Sequence, residues 1–162
     1  MADLPRRFLM PGMHFREIGP STVLGAGILH KKDSGGDVIR HTSRHLSVVY
    51  VLRGRGSYLC KTCGRVDMAP GDVYLRFPGL LHDSTHVPDG QWVEAFLSFT
   101  PGISRTLEDS GVISRRAPVL HPGLDLAVAD RFVEIMKTLA SSSQANLFSL
   151  VTEALRVVGE LS

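Results

Sequence analysis

Residues 68–86, which read MAPGDVYLRFPGLLHDSTH, constrain the fold more than any other stretch of this chain. Pro-Gly-Asp at 70–72 and Pro-Gly at 78–79 are turn sequences, because Pro fixes φ and Gly tolerates positive φ. Between the turns, apolar residues alternate with Tyr74 and Arg76, which is the period-two pattern of a half-buried strand. The stretch therefore predicts two short strands, the second of which carries His82, Ser84 and His86 on one face.

Segments rich in β-branched and aromatic residues recur at intervals of about ten residues, with Gly and Pro turns between them. We predict strands at residues 22–30, 38–41, 45–52, 57–60, 65–68 and 92–99. On the last of these strands Trp92, Glu94, Phe96 and Ser98 share one face. This spacing is typical of an all-β sandwich or barrel.

The pattern changes to a helical period after the last predicted strand. Residues 122–140 and 147–161 each carry an apolar stripe, separated by the serines at 141–143, and we predict two amphipathic helices. Such helices can pack on the sheet, on each other or across a two-fold axis. The candidate dimerisation residues lie on the second helix, and they are Leu147, Leu150, Val151, Leu155 and Val158.

The first 21 residues contain Pro5, Pro11 and Pro20, which exclude a long helix or a central strand. We expect an N-terminal arm at 1–21, a β-domain at 22–118 and a helical dimerisation segment at 119–162.

Composition is that of a globular protein, with 162 residues, 43% hydrophobic and 21% charged residues, and a formal net charge of +2. A chain of this length can bury a core as one domain. Its basic residues are scattered, so we expect no direct contact with DNA. No secretory signal and no apolar run of membrane-spanning length is present, which favours a cytoplasmic location without membrane contact.

Cys60 and Cys63 form the only cysteine pair, in the sequence CKTCG. A zinc site needs about four ligands, and no second such pair exists. A plain hairpin turn is favoured, while a redox pair or a metal site shared across a dimer stays open.

Three motifs together resemble the N-terminal effector-binding and dimerisation domain of AraC-type transcription regulators, a cupin-like domain. They are HLSVVYVLRGRGSY at 45–58, MAPGDVYLRFPGLLH at 68–82 and WVEAFLSFTP at 92–101. The resemblance implies a jelly-roll, or double-stranded β-helix, barrel followed by two C-terminal α-helices. It further implies a homodimer that senses a sugar or related small polar effector.

The same resemblance implies two helix-turn-helix units further along the chain. They are absent from this sequence, so we expect it to be part of a longer bacterial regulator that reaches DNA through that missing half.

Position by position, the resemblance to the arabinose-responsive member of the family suggests the ligand-binding residues. They are Arg40, His82, Ser84, Glu94 and Phe96, three of which differ in type from that relative, so the effector need not be arabinose. A stacking surface for a sugar would come from Phe96, Tyr58 or Trp92. The alternative interpretation is that Arg40 pairs with Glu94 inside a filled barrel that serves only dimerisation, and that His82 is a satisfied core histidine.

A metal-dependent cupin enzyme, an isomerase or dioxygenase, is the alternative function. Its candidate ligands would be His45, His82 and His86, with Glu94 to complete the set, but His41 and His45 are too far apart to form the HxH pair of metal-binding cupins. No nucleophile motif, phosphate loop or paired-carboxylate signature is present, so we expect neither catalysis nor a cofactor.

Overall fold

The computed structural model describes residues 4–17 and 23–162, and in them the chain forms ten strands and three α-helices. The strands are β1 (Gly12–Glu17), β2 (Val23–Lys31), β3 (Val38–Thr42), β4 (Leu46–Arg53), β5 (Gly56–Cys60), β6 (Gly64–Met68), β7 (Val73–Arg76), β8 (Leu81–His86), β9 (Trp92–Phe99) and β10 (Val119–Leu120). The helices are α1 (Pro101–Asp109), α2 (Leu126–Ser141) and α3 (Leu147–Leu161), with short 3-10 helices at Arg6–Leu9, Ser34–Gly36 and Gln144–Asn146.

The described strands divide into two antiparallel sheets, which face each other. One sheet has the order β1-β2-β9-β4-β7-β10, and the other has the order β3-β8-β5-β6. Tyr58 on β5 joins them, because its hydroxyl donates to the carbonyl oxygen of Leu75 on β7 at 2.9 Å. The predicted all-β architecture followed by two C-terminal helices is confirmed, with two facing sheets in place of one continuous closed barrel.

The six-stranded sheet is covered on both faces. On β4, Val48, Tyr50 and Leu52 belong to the core shared with the helices, whereas Val49 and Val51 belong to a second core between the two sheets. The rings of Tyr50 and Phe132 on α2 stack with centroids 6.0 Å apart. Burying each such aromatic or branched side chain stabilises the fold by about 1.5–3 kcal/mol.

The helices differ from the sequence prediction in three respects. First, α2 begins only at Leu126, because Asp125 is its N-cap and accepts from the Ala127 N–H at 2.8 Å. Second, α3 takes its N-cap from Asn146 and not from the serines at 141–143, of which Ser142 is the C-cap of α2 and donates to the Thr138 carbonyl oxygen at 2.6 Å. Third, α1 is an additional helix that the pattern did not predict, although Pro101 in its first turn is a common helix start.

The segment expected to be an arm contains an edge strand. The six residues of β1 pair in register with β2, and β1 has no partner on its other side within the described residues. The ring of Phe8 just before it is fully buried. Pro20 and the predicted strand start at residue 22 lie outside the described residues, and the division into arm, β-domain and helical segment stays a prediction.

Candidate functional site

The polar side chains between the sheets are brought together by strand register. Glu94 on β9 lies opposite Val51 on β4 and Leu29 on β2, and Phe96 lies opposite Val49 and Gly27. Because side chains alternate along a strand, these residues share the face that meets the four-stranded sheet. The predicted common face of Trp92, Glu94, Phe96 and Ser98 is therefore the inner face of the molecule.

Glu94 is the centre of this cluster and only 1% exposed. Its Oε2 accepts from the Trp92 indole Nε1–H at 2.6 Å and from the Tyr74 hydroxyl at 2.9 Å, and its Oε1 lies 3.1 Å from Lys31 Nζ. Burial acts to raise the pKa of Glu94, but the nearby cations Lys31 and Arg76 and the two hydrogen bonds outweigh it and lower that pKa. Glu94 is therefore an ionised, fully bonded carboxylate in the interior.

Arg76 is the second charge of this cluster and is part-buried. Its Nη2 donates to Ser84 Oγ at 2.9 Å and to the Tyr74 hydroxyl at 3.2 Å, while its buried Nε has no hydrogen-bond partner. Burial acts to lower the pKa of Arg76, and Tyr74 and Glu94 more than offset this, so the guanidinium stays charged. Burial also raises the pKa of Tyr74, which keeps its phenol neutral.

A cavity of about 160 Å³ adjoins these charges. Its walls are both polar and apolar, and the lining residues are Met13, Phe15, Leu29, Ser47, Val49, Arg76, Glu94, Phe96 and Ser98. Roughly five water molecules would fill such a volume, which is smaller than a typical pocket for a drug-sized molecule. The cavity therefore suits a small compound with both polar and apolar surface.

Two glycines on β2 make room for the aromatic part of this wall. A Cβ at Gly25 would overlap the ring of Phe15, and one at Gly27 would lie 2.5 Å from the ring of Phe96. The two rings lie 6.0 Å apart, centroid to centroid. The aromatic side chains thus need the space that these two glycines leave.

Four of the five predicted ligand-binding residues face the interior. Glu94 and Phe96 line the cavity, whereas Ser84 does not line it but accepts a hydrogen bond from Arg76, which does. His82 is 1% exposed, its Nδ1 lies 3.0 Å from the Leu80 carbonyl oxygen, and its buried Nε2 has no partner. Because burial lowers the pKa of His82, the ring is neutral at neutral pH, and it stacks on Tyr58 at 5.7 Å.

Arg40 does not line the inner cavity, although together with His82 it lines a separate depression of about 420 Å³. It is exposed, has a φ of +48°, and its backbone N–H donates to Asp83 Oδ1 at 2.6 Å. The alternative of an internal pair between Arg40 and Glu94 is wrong, since Lys31 makes that ion pair. A β-bulge between Val38 and His41 shifts the register there and explains the difference.

The candidate metal ligands do not converge. His86 Nε2 lies 2.6 Å from the Asp33 carbonyl oxygen and can form a hydrogen bond with it. His86 Nδ1 lies 2.7 Å from Asp37 Oδ1, but the geometry of this second contact is not that of a hydrogen bond. Among residues 4–17 and 23–162, no group of three or more His, Cys, Asp or Glu side chains is arranged to hold a metal ion.

Sequence reasoning missed Lys31, Tyr74 and Arg76 as site residues. The alternation on β7 predicts Tyr74 and Arg76 on the solvent side of a half-buried strand, and this interpretation is wrong because the second sheet covers that side. The sequence does contain one signal for this site, because an arginine within an otherwise apolar strand indicates a buried polar partner or a ligand.

The predicted dimerisation residues pack mostly within the chain itself. Leu147, Leu150, Val151 and Val158 are all less than 10% exposed, whereas Leu155 is part-exposed at the rim of α3.

A second, larger depression of about 520 Å³ lies at one end of the four-stranded sheet. Its rim is exposed and includes Arg55, Arg65, Asp67, Val87 and Pro88. It lacks the buried charged cluster, and we therefore assign the candidate site to the inner cavity.

Comparison with known protein families identifies the kind of domain to which this fold and cavity belong. A family model described as the AraC-like ligand-binding domain matches residues 28–156. The chain belongs to this family. Membership in the AraC-like ligand-binding domains points to a regulatory, ligand-sensing role.

Solved structures with similarity to this AraC-like domain include two that are described as cupins and a third protein, YhaK. The cupin domain of Cnp3 from Schizosaccharomyces pombe has 11% identity and a TM-score of 0.42, over 65% of this chain and 72% of that one. YhaK from Escherichia coli has 13% identity and a TM-score of 0.41, over 58% and 46%. A cupin superfamily protein from Desulfitobacterium hafniense has 11% identity and a TM-score of 0.40, over 56% and 78%. Neither ligand nor activity carries over at these levels.

A search of curated proteins finds no matching sequence. None of the helices in the described residues is long and apolar enough to cross a lipid bilayer.

Proposed function

We propose that this AraC-like domain binds a small polar effector in the cavity on the inner face of its six-stranded sheet and transmits that event to the DNA-binding half of a bacterial transcription regulator. The observation that carries the proposal is the part-buried Arg76, which lines the cavity and whose buried Nε has no hydrogen-bond partner. An unpartnered buried polar group is costly, and a bound molecule can satisfy it.

We propose that the edge strand β1 changes its position when a ligand binds in the cavity. Met13 and Phe15 on β1 line the cavity, yet they are 52% and 51% exposed, so they form a wall with one side open to solvent. A ligand that contacts them favours the arrangement in which β1 lies over the cavity. Such a shift requires different affinity for the two arrangements of β1, since equal affinity would change nothing.

Trp92 gives a direct test, because it is the sole tryptophan and bonds to Glu94 in the cavity wall. The purified chain is titrated with arabinose, glucose, galacturonate, glucuronate and benzoate, while Trp92 emission and the melting temperature are recorded. At least one compound should change both signals, since ligand binding to the folded state raises its stability.

Two variants locate the binding. Phe15→Ala removes a cavity wall and should weaken binding severalfold. Met10→Ala is the matched control, because Met10 is 69% exposed and does not line the cavity. The proposal is contradicted if none of these compounds binds, or if Phe15→Ala leaves the binding unchanged.

Homodimerisation is also part of the proposed function. With most of the apolar face of α3 buried within the chain, the part-exposed Leu155 is the predicted residue best placed to contact a second copy.

A further inference from the structure

The charges that surround the cavity do not balance. Lys31 and Arg76 are cations and Glu94 is an anion, and Lys31 alone of the two cations makes an ion pair with it. Arg76 makes no ion pair with any described residue, and its Nη2 bonds are to the neutral hydroxyls of Tyr74 and Ser84. The site therefore carries one uncompensated positive charge.

The neighbouring titratable groups do not supply the missing negative charge. Burial raises the pKa of both Tyr58 and Tyr74, so each is a neutral phenol. Burial lowers the pKa of His82, which keeps that ring neutral. Glu94 is already committed to Trp92, Tyr74 and Lys31. Because a buried charge is costly unless it is paired, the arrangement favours an anion from outside.

The rest of the cavity wall indicates the chemistry of the remainder of the anionic ligand. Phe15, Leu29, Val49 and Phe96 provide apolar contact, and the hydroxyls of Ser47 and Ser98, 3.1 Å apart, provide polar contact. A guanidinium binds a carboxylate with charge-assisted hydrogen bonds. We infer that the effector is a small carboxylate whose anionic group pairs with Arg76 and whose body packs against Phe15 and Phe96. This inference rests on the proposed function of the cavity.

Matched pairs of acid and neutral compound test the inference. Glucuronate is compared with glucose, and benzoate with benzyl alcohol, by the change in Trp92 emission and by titration calorimetry. In at least one pair the acid should bind about tenfold tighter or more, which is the ratio expected of one hydrogen bond to a charged group.

Two variants with opposite effects keep the test independent of any one mutation. Arg76→Gln removes the unpaired cation and should abolish the preference for the acid. Glu94→Gln removes the competing carboxylate and should tighten the acid severalfold. Arg44→Gln is the control, since Arg44 is exposed and lies outside the cavity lining. Thermal unfolding confirms that each variant is folded, and if Arg76→Gln does not fold, the result with Glu94→Gln decides.

The outcomes separate this inference from the proposed function. If in neither pair the acid binds more tightly than its neutral partner, and Phe15→Ala weakens the binding that is seen, the carboxylate inference is wrong and the ligand-sensing proposal stands. If the acids bind but Glu94→Gln leaves their affinity unchanged or weakens it, the inference is also wrong. If no compound binds at all, both are wrong.

Discussion

Trp92 donates its indole N–H to the buried carboxylate of Glu94, with 2.6 Å between Nε1 and Oε2, although the two residues are only two positions apart on β9. Side chains two apart on a strand point to the same face, and here both are covered by the opposite sheet. A tryptophan and an ionised carboxylate thus share one interior site, and we expect the emission of Trp92 to respond to the state of Glu94.

The first prediction concerns the stability of the protein in acid. The pKa of Glu94 lies below its ordinary value of 4.5 in the folded protein, so Glu94 contributes stability that is fully present above that value. This contribution is lost as the pH falls from 4.5 through the folded pKa. Urea unfolding between pH 7 and pH 3 should show a larger loss for the natural protein than for Glu94→Gln. Equal losses would contradict an ionised Glu94.

The second prediction concerns Gly27. A Cβ there would lie 2.5 Å from the Phe96 ring and 2.8 Å from the Gly12 carbonyl oxygen on β1. Gly27→Ala should therefore lower the free energy of unfolding by about 1–3 kcal/mol, as overpacking does, and shrink the cavity. Gly102→Ala in α1 is the control, because nothing lies within 4 Å of the Cβ that this substitution adds, and it should be neutral or slightly stabilising. Equal effects in urea unfolding would refute the steric explanation.

The third prediction concerns self-association. Leu155→Glu should give monomers if α3 pairs with a second copy, because the new carboxylate would be buried in the interface. The side chain at this position is part-exposed in the single chain, so the folded monomer tolerates the charge. Ser149→Glu adds the same charge at an exposed position of α3 and should leave the oligomeric state unchanged. Analytical ultracentrifugation measures both. A Leu155→Glu dimer of unchanged affinity would place the interface elsewhere.

The fourth prediction concerns Cys60 and Cys63, which lie at the turn between β5 and β6 with their sulfurs 3.0 Å apart. Burial acts to raise the pKa of Cys60, but hydrogen bonds from Cys63 and Thr62 lower it, which favours its thiolate. Oxidised glutathione should convert the pair to one disulfide, releasing two glutathione thiols. Thiol titration should fall from two groups to none, whereas Cys63→Ser should give only a mixed disulfide. Two titratable thiols after oxidation would contradict this expectation.

Much of the fold follows from local patterns in the sequence. Period-two alternation predicted that Trp92, Glu94, Phe96 and Ser98 share a face, and the register of β9 between β2 and β4 agrees. The turn residues at 70–72 and 78–79 predicted the positions of β7 and β8 closely. These features depend on neighbouring residues only, which is why a single sequence is sufficient to predict them.

The site was predictable only in part, because its members depend on what lies opposite them. Whether Tyr74 and Arg76 face solvent or a second sheet is not encoded in the alternation of β7 itself. Arg40, which the resemblance suggested as a ligand-binding residue, is exposed next to a bulge in β3 and has a φ of +48°, and no local pattern announces a bulge. The edge strand β1 was overlooked because its stretch is short and follows a proline.

The position of β1 has a consequence for how a signal would leave the ligand chamber. Phe15 faces the cavity, while Arg16 next to it donates to the carbonyl oxygen of Ser142 at the end of α2, 3.0 Å away. Adjacent positions of one strand thus touch the chamber and the helical layer. Since β1 pairs with one strand only within the described residues, displacing it breaks a single ladder and its contacts with α2 but leaves the central strands β4 and β9 intact. A rigid core and a movable wall can therefore coexist within one sheet.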